Sequence, residues 1–359
     1  MLSRRLVGAA ALVAAHSVSL PLLGSVALAG PVAPADKPWD AGDGFSFDAQ
    51  AKKFRRSVSG LACVVVDKQH HCIVAFDEGA QARTVVLREG AYAIGTERVA
   101  LLPSAGQDVE LDAEAAATDG QFVFVAGSHS VKRDGCDSNP NSRHVVRFRI
   151  DPATGQVLRN PPNDPKGALV DYADSQRLWS IMESLPDLKD FVGKCLDEHG
   201  VNIEGMAEKA GRLYFGFRGP AEDGEAKILS VDTKALFEGG DAHPTVTRLR
   251  VHKGRGIRDL AAVNDGILIL AGPDDAKDDA GVGWAVALWD ARDTAEGVVV
   301  PTPLGELDLG GVKLRSCDKE IKPEAMAVTV DAATAYRIVI MSDGMCDGGP
   351  MTFDVKRGG

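Results

Sequence analysis

A polar residue followed by a small apolar run recurs five times along the chain: Ser59-Gly60-Leu61-Ala62, Glu114-Ala115-Ala116-Ala117, Glu204-Gly205-Met206-Ala207, Asp259-Leu260-Ala261-Ala262 and Glu324-Ala325-Met326-Ala327. Four of the five leading residues are carboxylates. Asp112 and Asn202 stand two residues before Glu114 and Glu204, on the same face of an extended chain, and Asp343 closes a later apolar run. Gathered at one place, such oxygens hold a hard cation. Asp112, Glu114, Glu204, Asp259, Glu324 and Asp343 are the candidate metal ligands, with calcium the candidate ion. Basic residues follow or precede the same phrases: His129, Arg143, Arg218, Arg255, Arg258 and Lys322. Of these, His129, Arg143, Arg218, Arg258 and Lys322 are the candidate ligand-binding groups, since an arginine fork suits a phosphate or carboxylate. A second account needs no ligand: like charges this close require compensation, and the arginines can supply it as structural ion pairs.

The residues converge only if the chain folds radially. Each phrase leads through a turn to a strongly apolar strand, such as Phe122 to Gly127 or Ile267 to Gly272, and successive leading residues are 55, 90, 55 and 65 residues apart. Between them lie further strand candidates: Arg83 to Leu87, Arg98 to Leu102, Val145 to Ile150, Lys227 to Val231, Val246 to Val251, Ala285 to Trp289 and Val298 to Val300. Each unit reads as a four-stranded antiparallel sheet. The long interval holds a helical insertion around residues 172–194, where Leu178, Ile181, Met182, Leu185, Leu188 and Val192 keep helical spacing. The last unit has three strands, and Gly44 to Phe54 is the expected source of the fourth, joining the chain's two ends. The expected fold is an all-β β-propeller of five blades over residues 57–359, or six if the insertion hides a degenerate one. Residues 30–56 form the segment that supplies the closing strand. Inner strands of a propeller line its axis, which brings the repeated position together, and the insertion near Trp179 would cover one mouth.

Other motifs are incomplete. Asp137-Ser138-Asn139-Pro140-Asn141 starts like a calcium loop, but Ser142 stands where glycine is required. Asp274 to Asp279 is acidic without ligand spacing, and both stretches read as solvated loops. His70-His71 reads as the surface tip of a hairpin. No GxSxG elbow, phosphate loop, HExxH or dinucleotide fingerprint is present.

Residues 1–29 have the form of an export signal, with Arg4 and Arg5, an acid-free apolar stretch and Ala27-Leu28-Ala29 before Gly30. Pro21, Gly24 and His16 interrupt it as a membrane span. Removal takes two of 40 basic residues and none of 51 acidic ones, moving the formal charge from −11 to −13. That balance disfavours nucleic acid and anionic membranes and suits cations. A periplasmic or secreted monomer without a stable membrane span is expected. The six cysteines agree with an oxidising compartment. Cys63 and Cys72 flank a hairpin turning at Asp67-Lys68 and would lie opposite each other. Among Cys136, Cys195, Cys317 and Cys346 three pairings are open, with Cys136–Cys195 and Cys317–Cys346 preferred.

The phrases Glu110-Leu111-Asp112-Ala113-Glu114-Ala115, Asn202-Ile203-Glu204-Gly205-Met206-Ala207, Tyr214-Phe215-Gly216-Phe217-Arg218-Gly219-Pro220, Arg255-Gly256-Ile257-Arg258-Asp259-Leu260-Ala261 and Lys322-Pro323-Glu324-Ala325-Met326 resemble the bacterial family catalogued as domain of unknown function 3616, over about residues 57 to 356. That family brings no activity with it. The Asn202 to Ala207 phrase is also similar to one in exported propellers of the esterase-like phytase type, which would imply calcium-assisted phosphoester chemistry. Three functions follow as expectations. The first is an exported propeller binding a cation, an anionic small molecule or both in an acidic channel, without turnover. The second is a metal-dependent phosphoester hydrolase in which the metal activates water, so an enzyme of this kind would cleave ester bonds. The third is a protein-interaction platform.

Overall fold

The computed structural model describes residues 30–45, 51–104, 109–162, 164–275 and 281–358. The expected export signal lies outside these residues. Five antiparallel sheets follow one another along the chain. Their inner strands are Val58–Val66, Ala113–Thr118, Asn202–Lys209, Arg255–Val263 and Lys322–Asp331. Each inner strand packs against the next, and the last packs against the first. The protein is a five-bladed β-propeller, and the six-blade alternative is excluded.

Small residues after the repeated polar position let neighbouring inner strands approach. A Cβ on Gly205 would stand 3.0 Å from the Asp259 backbone, and one on Gly60 3.0 Å from the Ala115 and Ala116 backbone. Farther out, alternating strand faces build five apolar clusters, one in each gap between blades. Ile73 and Val125 belong to the first such cluster, Phe124 and Phe215 to the second, and Tyr214 stacks edge-on against Trp289 in the third.

Most blades follow the sequence reading, with corrections in blades 1, 2 and 4. In blade 2 the outer strand is Ala173–Ser175, so the expected insertion begins later. Its helix covers only Arg177–Ser184, ending before Pro186. Leu178, Met182 and Leu188 bury against the blade 2–3 cluster rather than over the mouth. In blade 4 the outer strand is Thr302–Leu307, whereas Val299 bridges to Leu249 of blade 3. His70 and His71 lie within the strand Gln69–Phe76, because the hairpin turns at Asp67 and Lys68, both at positive φ.

The segment expected to complete blade 5 is partly outside the described residues, at 46–50, and Ala51–Phe54 are helical. Instead, residues 35–39 run along the outer edge of that blade. Ala35 N donates to Thr352 O at 2.8 Å, Trp39 N donates to Pro350 O at 2.9 Å, and Asp36 accepts from both the amide and hydroxyl of Thr352. Pro31–Val32 pair in parallel with the outer strand of blade 4. Disulfides join Cys63 to Cys72 and Cys136 to Cys195, whereas Cys317 and Cys346 are thiols. Among the described residues no helix is long and apolar enough to cross a membrane.

Candidate functional site

The ladder of every inner strand carries an irregularity next to its outer neighbour. The residue passed over by the pairing is Ser59 in blade 1, Glu114 in blade 2, Glu204 in blade 3, Arg258 in blade 4 and Glu324 in blade 5. A β-bulge re-aims its extra side chain, and here the bulges aim toward the axis. The sequence alignment placed Asp259 in this ring. The bulge shows that blade 4 is one residue out of step and that Arg258 is the equivalent position. Asp259, 1% exposed, accepts hydrogen bonds from the amides of Leu260 at 2.7 Å and Met326 at 2.6 Å. It ties blade 4 to blade 5 and does not line the cavity.

Arg258 neutralises its two neighbours. Its Nε lies 2.7 Å from Glu204 Oε2, its Nη2 bonds Glu324 Oε1, and its Nη1 donates to Pro273 O at 3.1 Å. Ser59 Oγ donates to the other Glu324 oxygen at 3.4 Å, closing the ring between blades 5 and 1. Burial pushes the Glu324 carboxyl up to about 7, with Arg258 pulling in the other direction. A second fork comes from Arg218, whose Nη1 is 3.0 Å from Glu204 Oε1 and whose Nε is 3.2 Å from Asp275 Oδ1. Asn202 Nδ2 donates to Glu204 and Asp275, each at 3.0 Å, and Arg133 reaches Asp275 at 3.2 Å. Asp275 is thus a buried member of this network, not the solvated loop residue its sequence suggested; residues 276–280 lie outside the described residues.

Around this network is a cavity of about 820 Å³ lined by eight acidic and four basic side chains, with no aromatic residue. Asp112, Glu114, Glu204, Glu324, Asp343, Arg218 and Lys322 line it as expected. Asp77, Glu110, Lys132 and Arg133 also line it and were missed. Asp77 had a readable signal, because Asp77-Glu78-Gly79 follows its apolar strand as Asp343-Gly344 follows Ile338 to Ser342.

Three expected ligand-binding groups do not line the cavity: Arg258 is buried behind it in its pairs with Glu204 and Glu324, and two others are elsewhere. His129 is fully buried with Nδ1 2.9 Å from Gly127 O, and burial pushes it down to about 4. Arg143 stacks over Trp179 at 3.5 Å and donates to Ser138. Arg255 pairs with Glu306 of its own blade. The mouth is bordered by Ser130 to Asp134, Asn139, Asn141 and Leu196, two segments fastened together by the Cys136–Cys195 disulfide.

Charge is unevenly compensated around the axis. On the blade 3–5 side Glu204 and Glu324 have arginines, and Asp343 has Lys322 at 3.2 Å. On the blade 1–2 side Glu114 has no ion pair or hydrogen bond among the described residues. Burial and then Glu204 and Asp112 hold its carboxyl well above the usual range. Asp77 Oδ1 is buried without a hydrogen-bond partner among the described residues. Burial, followed by Asp343 and Glu324, raises that group too. Burial also raises Asp112, against a hydrogen bond from Ser128 Oγ. Among the described residues, no three of these carboxylates have oxygens mutually within 4.8 Å, so they border an open chamber rather than a closed cage. A larger groove of about 1060 Å³ on the rim of blades 1 and 2 lies off the axis, and its Arg159 pairs internally with Glu97 at 2.6 Å.

Comparison with solved structures finds propellers of low identity. An exo-β-1,3-galactanase from Phanerochaete chrysosporium is 8% identical with a TM-score of 0.45, over 92% of this chain and 64% of that one. An exo-β-1,3-galactanase from Clostridium thermocellum is 9% identical with a TM-score of 0.44, over 90% and 62%. An α-L-arabinanase from Cellvibrio cellulosa is 11% identical with a TM-score of 0.41, over 83% and 91%. The chain spans less than two thirds of the length of both galactanases. These likenesses concern the fold alone. No curated protein matches the chain. The model of the family described as protein of unknown function (DUF3616) matches residues 60–150 and 149–347, and the chain belongs to that family.

Proposed function

We propose that this is an exported binding propeller whose central cavity takes a hard divalent cation, calcium being the first candidate, together with an anionic small molecule. The observation that carries this reading is the one-sided compensation of charge: among the described residues Asp77, Asp112 and Glu114 line the chamber without an ion pair, Asp112 feeling only the through-space pull of Arg133, while Glu204 and Glu324 are paired with arginines. Burying uncompensated carboxylates is unfavourable, and a bound cation removes that penalty. All the available donors are oxygens, which suits calcium or magnesium rather than a thiolate-preferring metal. The open spacing calls for water or ligand oxygens to complete the shell, as both ions accept. Lys132, Arg133, Arg218 and Lys322 line the same chamber and suit the anionic part of the ligand. The export signal expected over residues 1–29 and the disulfides Cys63–Cys72 and Cys136–Cys195 support a periplasmic or secreted location.

Thermal unfolding of the protein with calcium, with magnesium and with a chelator tests this reading. A cation that binds only the folded state raises the midpoint with concentration, and Glu114→Gln is expected to reduce that rise. Equal midpoints in all three conditions refute the reading. Metal-dependent turnover in a phosphoester screen would replace binding with hydrolysis.

A further inference from the structure

Cys317 lies in the crossover between blades 4 and 5, residues 308–321, which contains neither strand nor helix. Cys346 opens the short turn Cys346–Gly348, between the last two strands of blade 5. The two sulfurs and a carboxylate oxygen of Asp318 lie within 4.8 Å of one another. A metal site and a disulfide both begin from such a group, and the neighbours decide between them. Asp318 is already engaged: it accepts from the Arg315 amide at 2.7 Å, from the Arg315 side chain at 2.9 and 3.0 Å, and from the Cys346 amide at 2.8 Å. The Arg315 and Arg55 guanidiniums both act on the cysteine pair, which disfavours another cation there but is indifferent to an uncharged disulfide.

We propose that Cys317 and Cys346 are an oxidation site that closes into a third disulfide, pinning the 308–321 crossover to blade 5 at the edge of the central cavity. The backbone already holds the sulfurs opposite each other: Lys319 N donates to Gly344 O at 2.8 Å, and Arg315 Nη2 donates to Cys346 O. The crossover ends at Lys322, which bonds Asp343 at 3.2 Å, and both residues line the cavity. The disulfide therefore holds the segment leading to Lys322 and Asp343, a part of the cavity lining distinct from the one fastened by Cys136–Cys195.

The chemistry is exchange with a low-molecular-weight disulfide. Cys317, the more exposed thiol, attacks one sulfur of the oxidant as thiolate, forming a mixed disulfide and releasing one small thiolate. Cys346, deprotonated, then attacks Cys317 Sγ and displaces the second. Two electrons pass from the cysteine pair to the oxidant, and the two thiol protons end on solvent or the released thiols. Burial pushes the Cys346 thiol up to about 12, so the second step is the slow one and accelerates with pH.

The full chain, refolded in mixed oxidised and reduced glutathione, is denatured in iodoacetamide without reductant and mapped as peptides. The expected result is no alkylated cysteine and a cross-linked peptide pair containing Cys317 and Cys346. The Cys317→Ser variant should leave Cys346 open to alkylation and lower the oxidised thermal midpoint by about 5 °C, a difference that vanishes when all disulfides are reduced. Alkylation of both Cys317 and Cys346 while the other four stay bridged overturns the proposal. So does protection of the pair that is lost on adding a chelator, without a cross-linked peptide. If the variant does not fold, the peptide map of the unaltered chain decides alone.

Discussion

Arg258 Nε stands 2.7 Å from Glu204 Oε2, and the two residues occupy the same bulged position on neighbouring inner strands. One blade thus contributes the base that neutralises the acids of the blades on either side of it. Of the three acids in the ring, Glu204 and Glu324 are paired and Glu114 is not, although all three line the chamber.

Removal of Arg258 should be severely destabilising. Arg258→Ala leaves Glu204 and Glu324 buried without their shared partner, and breaking a buried ion pair from one side costs about 3–5 kcal/mol. Urea unfolding checks this. Adding Glu324→Gln to Arg258→Ala should recover part of the loss, because one of the stranded charges is then absent.

Asp259 and Glu114 should separate cleanly. Asp259→Ala orphans the Leu260 and Met326 amides, each worth about 1–3 kcal/mol when buried without a partner. The variant is expected to be less stable yet to keep the same response to added cation, since Asp259 does not line the chamber. Unfolding curves at several calcium concentrations provide the comparison.

The His129 site gives a pH dependence. Its folded value of about 4 lies below the ordinary value of about 6.5, so on acidification the unfolded chain takes up the proton first. Stability from this group is complete above about pH 6.5 and falls by about 3 kcal/mol as the pH drops to about 4. His129→Asn tolerates the positive φ and should lose less stability between pH 7 and pH 5. Denaturant titrations in chelator at both pH values measure the difference.

The two disulfides should contribute unequally. Cys136–Cys195 spans 59 residues and Cys63–Cys72 only 9. In the chain-entropy view the longer loop contributes about 4 kcal/mol and the shorter about 3 kcal/mol. Paired Cys→Ser variants are expected to rank in that order, and only the Cys136/Cys195 pair should also weaken ligand binding, because it fastens the mouth.

The architecture was legible because it repeats. Five apolar strands with small residues beside them carry the same instruction five times, and one ambiguous outer strand does not alter it. The site was legible in type but not in register. Arg258 and Asp259 are adjacent, and only the ladder irregularity shows which one reaches the axis; a sequence alignment that matches acid to acid chooses the wrong one. Asp275 was unreadable because its acidic run resembles a solvated loop, and its burial depends on Arg218 and Asn202, far away in sequence. The insertion helix was overextended because Leu188 and Val192 keep helical spacing beyond the stop at Pro186.

Calorimetric titration of calcium into the chelator-treated protein and into Glu114→Gln tests the central claim most directly. One saturable site in the wild-type protein, weakened at least about tenfold by removing this charged oxygen donor, is the expected result. Absence of binding heat at millimolar calcium, or an affinity unchanged by Glu114→Gln, would contradict a cation site on the uncompensated side of the ring.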